Sequence, residues 1–277
     1  MIIMTCYDLH SHSTASDGSL SPEALIARAI EHDVDVLALT DHDGTEGIAA
    51  AQQAAQSTDL TLIAGVEISV TWGNGTVHIL GLNIDPEDTE LQQGLAEMRD
   101  FRVGRAQEIA KRLDKAGIPG ALEGAKKYAS EIMLGRLHFA KFLVEHNYAK
   151  NVQDVFKRYL VRGKPGYVPG QWSTLADAVA WINVAGGQAA IAHPARYKIT
   201  ATKLRRLITD FKEAGGVGFE VVSGRQHVEE VKHLARLADK FELFASCGSD
   251  FHTPDSWAEL GKLSPLPESC TPIWTQF

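Results

Sequence analysis

Short apolar runs alternate with amphipathic stretches through most of the 277-residue chain. The runs at 4–9, 34–40, 60–70, 76–83, 187–192, 217–222 and 242–247 read as strands. Stretches of helical period lie between them. Ser21-Pro22-Glu23-Ala24 opens the first with a capping residue and a proline at the first helical position, and others cover 44–56, 174–185, 201–214 and 226–239. This alternation predicts an α/β fold of βα units around a largely parallel sheet, either a barrel or an open doubly wound sheet, and periodicity alone does not separate the two. No internal repeat or low-complexity tract interrupts it.

One segment departs from the alternation. Residues 99–172 show no strand, read mostly as helices, and carry 15 Lys and Arg against 7 Asp and Glu, a net of +8. The rest of the chain has 12 against 28, a net of −16, so the overall charge of −8 hides two opposite parts. The expected organisation is therefore one domain from 1–98 and 173–277 with a basic helical cap inserted at 99–172. At about 100° per residue, Met98, Ile109, Leu113 and Ala116 share one helix face, and Arg102 and Arg105 fall within the same stripe. Arginines on an inward face either snorkel at its edge or meet an anion.

Composition then narrows the class. With 44% hydrophobic and 22% charged residues, disorder and a disulfide-stapled miniprotein are excluded. The acidic balance argues against a stable DNA partner, though not against a small phosphorylated substrate. Cys6, Cys247 and Cys270 are odd in number and form no C-x-x-C pair, which fits a reducing compartment. The start of the chain has no basic, then apolar, leader pattern, and no 18 apolar residues run together, so a cytoplasmic enzyme without a membrane span is expected.

Histidine placement carries the chemistry. Six of the 11 histidines stand at or just after a predicted strand, each close to a carboxylate or another histidine: Asp8-Leu9-His10-Ser11-His12, Asp41-His42-Asp43, Val77-His78-Ile79, Ala192-His193-Pro194 and Gly248-Ser249-Asp250-Phe251-His252. Glu67 ends an apolar run in Gly65-Val66-Glu67. In a βα fold the C-terminal strand ends converge on one face, so these groups can gather there. Imidazole and carboxylate together suit Mn²⁺, Fe²⁺, Zn²⁺ or Co²⁺, and a carboxylate can bridge two ions.

The D-L-H-x-H start, T-D-H-D, G-V-E, A-H-P and G-S-D-F-H resemble, in order over residues 8–252, the signature motifs of the PHP (polymerase and histidinol phosphatase) family. Asp17-Gly18, Gly135-Arg136-Leu137-His138 and Gly163-Lys164-Pro165-Gly166-Tyr167-Val168 resemble its branch of 3',5'-nucleoside bisphosphate phosphatases and 5'-3' exoribonucleases, which more usually has proline at the position of Leu137.

The resemblance implies a distorted (β/α)7 TIM-like barrel with a helical insertion and three divalent ions. By position, His10, His12, Glu67 and Asp250 would hold one ion, Glu67, His78 and His193 a second, and Asp17, His42 and His252 a third. Asp17 stands where other members often have histidine, which favours Mn²⁺, with Zn²⁺ or Fe²⁺ as alternatives. Asp8, Asp41 and Asp43 are expected to orient imidazoles, with helix capping the other role for Asp43. Glu67, His193 and Asp250 are expected at the reacting centre, where a metal-bound hydroxide would hydrolyse a phosphate monoester. Arg102, Arg105, Arg136 and Lys164 would hold a second phosphate, which selects a small nucleotide such as adenosine 3',5'-bisphosphate, giving AMP and phosphate. The rival readings are a 5'-3' exoribonuclease on short RNA, a histidinol-phosphate phosphatase, an amidohydrolase or other metal hydrolase acting on carbon centres, and a non-enzymatic PHP module. Tyr167, Trp172 and Phe251 are candidates to contact a base, with core packing as the alternative.

Overall fold

Wherever an apolar run predicts a strand, backbone pairing is found nearby. The structure is a computed structural model describing residues 5–129, 133–254 and 258–277; Met4, where the first predicted run begins, lies outside them. The seven strands are β1 (Tyr7–Asp8), β2 (Val36–Leu39), β3 (Thr61–Trp72), β4 (Gly75–Leu82), β5 (Gln188–Ile191), β6 (Gly218–Ser223) and β7 (Phe244–Gly248), arranged in chain order in one sheet.

The β1–β2–β3 and β5–β6–β7 pairs are parallel, whereas β4 runs antiparallel to both neighbours. The sheet is largely parallel, as expected, and β4 is the exception for a simple reason. Only Gly73 and Asn74 separate the paired Trp72 and Gly75, and a parallel crossover needs about a dozen residues or more. β1 is short because the backbone beyond it turns to the opposite edge of the sheet: Leu9 N donates to Cys247 O at 2.9 Å, His12 N to Phe251 O at 2.9 Å, and Asp250 N to His10 O at 2.9 Å. These bonds nearly close the sheet into a barrel.

The helices around this sheet follow from capping and periodicity. α1 (Pro22–Glu31) starts where predicted, with Ser21 Oγ accepting from Ala24 N at 3.2 Å. α2 is Ile48–Ala55, shorter at its start than the sequence suggests. The chain divides into two compact units, Met1–Leu95 with Ser173–Phe277, and Ala96–Trp172. α3 (Thr89–Lys115), α4 (Ala121–Lys126), α5 (Arg136–Glu145) and α6 (Val152–Val155) fall wholly or mostly in the second unit, and its core joins Ile109, Leu113, Phe139, Leu143 and Leu160. Arg102 and Arg105 are buried on the α3 stripe with Met98, Ile109 and Leu113. Ala116 is instead exposed, because α3 has ended: Gly117 takes φ +82° and Ile118 N donates back to Leu113 O at 3.0 Å, a left-handed helix stop.

In the barrel unit, α7 (Leu175–Val184), α8 (Ala201–Glu213) and α9 (Val228–Lys240) cover the sheet. α8 buries Leu204, Leu207, Ile208 and Phe211 at the i, i+3, i+4, i+7 spacing of one apolar face. Among the described residues no helix is long and apolar enough to cross a membrane.

Candidate metal centre

The six histidines and three carboxylates meet where the strands end. His10 and His12 lie on the extended chain after β1, His42 follows β2, Glu67 lies within β3, His78 lies in β4, His193 follows β5, and Asp250 and His252 follow β7. In the antiparallel β3–β4 pair Glu67 opposes Leu80 and Ser69 opposes His78, so Glu67 and His78 share one face of the sheet. A slip of one residue would turn His78 to the other face.

Glu67 is fully buried and divides the imidazoles between its two oxygens. His78 Nδ1 and His193 Nε2 each approach Oε1 at 2.9 Å. His10 Nε2, His12 Nε2 and His42 Nδ1 approach Oε2 at 3.3, 3.2 and 3.1 Å. Asp250 Oδ1 faces His10 Nε2 at 3.2 Å and His12 Nε2 at 3.1 Å, and Asp17 Oδ1 faces His252 Nε2 at 3.2 Å.

Three donor groups are compact, with one ligand atom per residue and all atoms of a group within 4.8 Å: His10, His12, Glu67 and Asp250; His12, Asp17, His42 and His252; and His42, Glu67 and His78. The first is the set expected from sequence. The second adds His12 to the expected set, because His12 is central, its ring 4.7 Å from that of His42 and 4.2 Å from that of His252. In the third, His42 stands with Glu67 and His78, while His193 reaches the same Glu67 Oε1.

A test of fit to divalent ions is whether these atoms are satisfied without one. His10 Nε2, His42 Nδ1, Asp17 Oδ1 and Glu67 Oε2 are buried and make no aligned hydrogen bond among the described residues. Each buried polar atom left so would cost about 1–3 kcal/mol. Their lone pairs converge instead on shared space, and the nitrogen and carboxylate donors are those that hold Mn²⁺, Fe²⁺ or Zn²⁺. The charge pattern agrees. Burial alone would raise the carboxyls of Glu67, Asp17 and Asp250, but the surrounding imidazoles hold all three well below the ordinary carboxylate range. Burial opposes charge on His12, and Asp250 and Glu67 nonetheless raise it to about 10. Burial pushes His42 down to about 4.

The carboxylates expected to orient imidazoles accept hydrogen bonds from backbone and hydroxyl groups. Asp8 accepts from Ser249 N at 2.8 Å and Gly261 N at 3.0 Å. Asp41 accepts from Ser13 N at 2.8 Å, Ser13 Oγ at 2.6 Å and Ser16 Oγ at 2.5 Å. Both thus pin the loops that carry the histidines through peptide N–H and hydroxyl groups. Asp43 likewise accepts from Ser69 N at 2.6 Å, tying the loop after β2 to β3, and caps no helix at α2, whose N-cap is Gly47.

The imidazole partner is Glu220, which the sequence reading missed. Its Oε1 lies 2.9 Å from His10 Nδ1 and its Oε2 accepts from His193 N. One signal was available: like Glu67, it is a lone carboxylate inside an apolar strand run. Arg196 and Tyr197 were missed too. Arg196 Nη1 donates to Asp250 Oδ2, and Tyr197 Oη accepts from His78 N at 2.8 Å. His193 and Asp250 take φ of +29° and +54°, conformations uncommon for residues with side chains. The bonds from His193 N to Glu220 and from Asp250 N to His10 O hold them there.

Of the residues expected to hold a second phosphate, Arg102, Arg105 and Arg136 associate within the helical unit. Arg102 and Arg105 lie over the Trp172 ring at 4.8 and 5.3 Å, and Arg105 Nε and Nη2 both donate to Val168 O at 3.2 Å. Burial, then the charges of Arg136 and Arg102, lower the Arg105 guanidinium to about 10. Such a cluster of desolvated like charges is relieved by an anion. His138 Nδ1 accepts from Gly135 N at 3.0 Å, fixing the turn into Arg136. Lys164 is exposed. Phe251 is fully buried in the core beside Leu25 and Leu39, so it is not available to a base, while Trp172 is half-buried against the arginines and Tyr167 is half-buried.

Comparison with known proteins agrees with this geometry. The sequence profile of the PHP domain matches residues 8–164. The 5'-3' exoribonuclease Rnm of Escherichia coli is 50% identical over 270 residues, covering 97% of this chain and 92% of its own. The 3',5'-nucleoside bisphosphate phosphatase of Chromobacterium violaceum is 46% identical over 275 residues, covering 99% and 96%. A solved structure of an amidohydrolase from Chromobacterium violaceum, with bound sulfate and no metal, superposes with a TM-score of 0.92 at 46% identity, covering 98% and 95%.

Proposed function

The chain belongs to the PHP family, and from that premise we propose that it hydrolyses the 3' phosphate ester of nucleotides that carry a 5' phosphate, with nucleoside 3',5'-bisphosphates as substrates. The observation that carries this reading is the division of Glu67, with two imidazole nitrogens on one carboxylate oxygen and three on the other. Divalent ions bound there supply Lewis acidity, neutralising phosphoryl oxygens and lowering the pKa of water.

The chain's own residues prepare this chemistry. Glu67, Asp17 and Asp250 are kept anionic and so balance several positive charges in a buried site. Glu220, Asp8 and Asp41 fix the ring and loops that carry His10 and His12, so the donors are preorganised when substrate arrives. Arg102, Arg105 and Arg136 are proposed to hold the phosphate that does not react. Water adds to the 3' phosphorus, the P–O3' bond breaks, and O3' leaves with a proton, yielding a nucleoside 5'-monophosphate and phosphate.

The names of the two similar proteins point to substrates that differ only beyond the scissile phosphorus. In a 3',5'-bisphosphate that phosphorus bears no further group, and in a 5'-phosphorylated RNA it bears the rest of the chain. The reading is tested by assaying purified protein with Mn²⁺ on adenosine 3',5'-bisphosphate, AMP, a short RNA and histidinol phosphate. Release of phosphate and AMP from the bisphosphate is expected, with little from AMP or histidinol phosphate. Preferential hydrolysis of histidinol phosphate would overturn it.

A further inference from the structure

A second feature of the barrel unit is not used by the reaction above. A cavity of about 740 Å³ lies between the β3–β4 hairpin and α8. On one side are Trp72 and the turn Gly73-Asn74-Gly75; on the other, Lys203, Arg206 and Asp210 follow one another at i, i+3 and i+7 along a single face of α8. Arg196, Tyr197 and Lys198 complete the lining.

Two relations make this cavity an extension of the metal centre. Arg196 donates to Asp250 and Tyr197 Oη accepts from His78 N, so the residues that line it also touch the strand ends bearing the donor groups. Its charge is also at odds with its surroundings. Outside residues 99–172 the chain carries a net −16, yet Lys198, Lys203 and Arg206 line this cavity with one carboxylate, Asp210, while Arg196 is engaged by Asp250. Asp210 is already engaged, accepting from Trp72 Nε1 at 2.8 Å and lying 3.8 Å from Arg206 Nε. Lys198 and Lys203 are exposed and form no ion pair among the described residues. Positive charge spaced along a groove with aromatic side chains is the chemistry that holds single-stranded nucleic acid. The volume is also within the range of about 300–1,000 Å³ common for specific ligand sites.

We propose that this cavity binds the nucleotides beyond the scissile phosphorus of a 5'-phosphorylated oligoribonucleotide, with Lys198, Lys203 and Arg206 on its phosphates. This rests on the reading of the metal centre given above and extends it. The same P–O3' bond breaks by addition of water, O3' leaves with a proton on the released 5'-mononucleotide, and the phosphate stays on the 5' end of the remaining RNA. The cavity then determines how well a chain competes with a mononucleotide.

The experiment compares wild type with K198Q/K203Q/R206Q, three substitutions away from the donor groups. Binding is read by fluorescence anisotropy of a 5'-phosphorylated five-nucleotide RNA labelled at its 3' end, with a phosphorothioate at the first linkage to slow turnover. Turnover is read on adenosine 3',5'-bisphosphate and on the unmodified RNA. Removing three phosphate contacts should weaken RNA binding at least about tenfold and lower the slope of log affinity against log salt by about 2, with kcat/KM for the bisphosphate within about twofold. Unchanged RNA binding, or equal losses on both substrates, overturns the proposal. If wild type turns over neither substrate but its RNA binding still depends on the three cations, the reading of the metal centre fails and the cavity assignment stands.

Discussion

Glu220 Oε1 lies 2.9 Å from His10 Nδ1, with both side chains fully buried. A carboxylate behind a donor imidazole fixes the tautomer, so that Nε2 keeps its lone pair, and makes that nitrogen more basic. Glu220→Gln keeps the shape and removes the charge. Its affinity for Mn²⁺ should fall about 10–100-fold, read by calorimetric titration, while far-ultraviolet circular dichroism stays as in wild type. Unaltered affinity would mean that Glu220 serves only the His193 backbone.

The metal-free protein should be most stable near pH 6.5. His12, raised to about 10 when folded, contributes stability that is complete below its unfolded value of about 6.5 and is lost as pH rises through about 10. His42, lowered to about 4, contributes stability present above about 6.5 and lost as pH falls through about 4. Glu67, Asp17 and Asp250, held below the ordinary carboxylate range, add to the acid limb. Thermal melts in chelator should therefore decline on both sides. Saturating Mn²⁺ should flatten the alkaline side, since the bound ion takes the place of the His12 proton.

Gly248 is required by close approach. A Cβ there would stand 2.2 Å from His10 Cβ and 2.8 Å from His10 N, neither of which can swing away. Gly248→Ala should cost about 1–3 kcal/mol of stability by overpacking, seen as a lower urea midpoint at unchanged slope. It should weaken metal binding as well, because the displaced residue is His10.

Arg136→Ala tests the proposed second-anion role. It should raise KM for adenosine 3',5'-bisphosphate by about tenfold or more, as expected for loss of a charge-assisted contact of about 1.5–3 kcal/mol, and leave KM for an aryl phosphate nearly unchanged. Equal effects on both substrates would remove the arginine cluster from substrate recognition.

Much of this arrangement is legible in the residues alone. Strand and helix order, the cap at Ser21 and the placement of six histidines, Glu67 and Asp250 at or near the ends of apolar runs follow from period and turn chemistry, whereas Asp17 comes only from the family resemblance. Each of the former is local, encoded within a few residues. The stop of α3 is local as well, and Gly117 was its mark, although the wheel carried the stripe on to Ala116.

What was not legible depends on which strands become neighbours and in what register. The antiparallel setting of β4 puts His78 on the face of Glu67. Closure of the β1 and β7 ends brings His10 beside Glu220, Asp250 and Gly248. The split of five imidazoles between two oxygens of one carboxylate, and the basic cavity along α8, exist only once residues more than a hundred positions apart share one space. Hydrophobic period selects the elements and their buried faces, but the partner across a sheet is set by the packing of the whole chain.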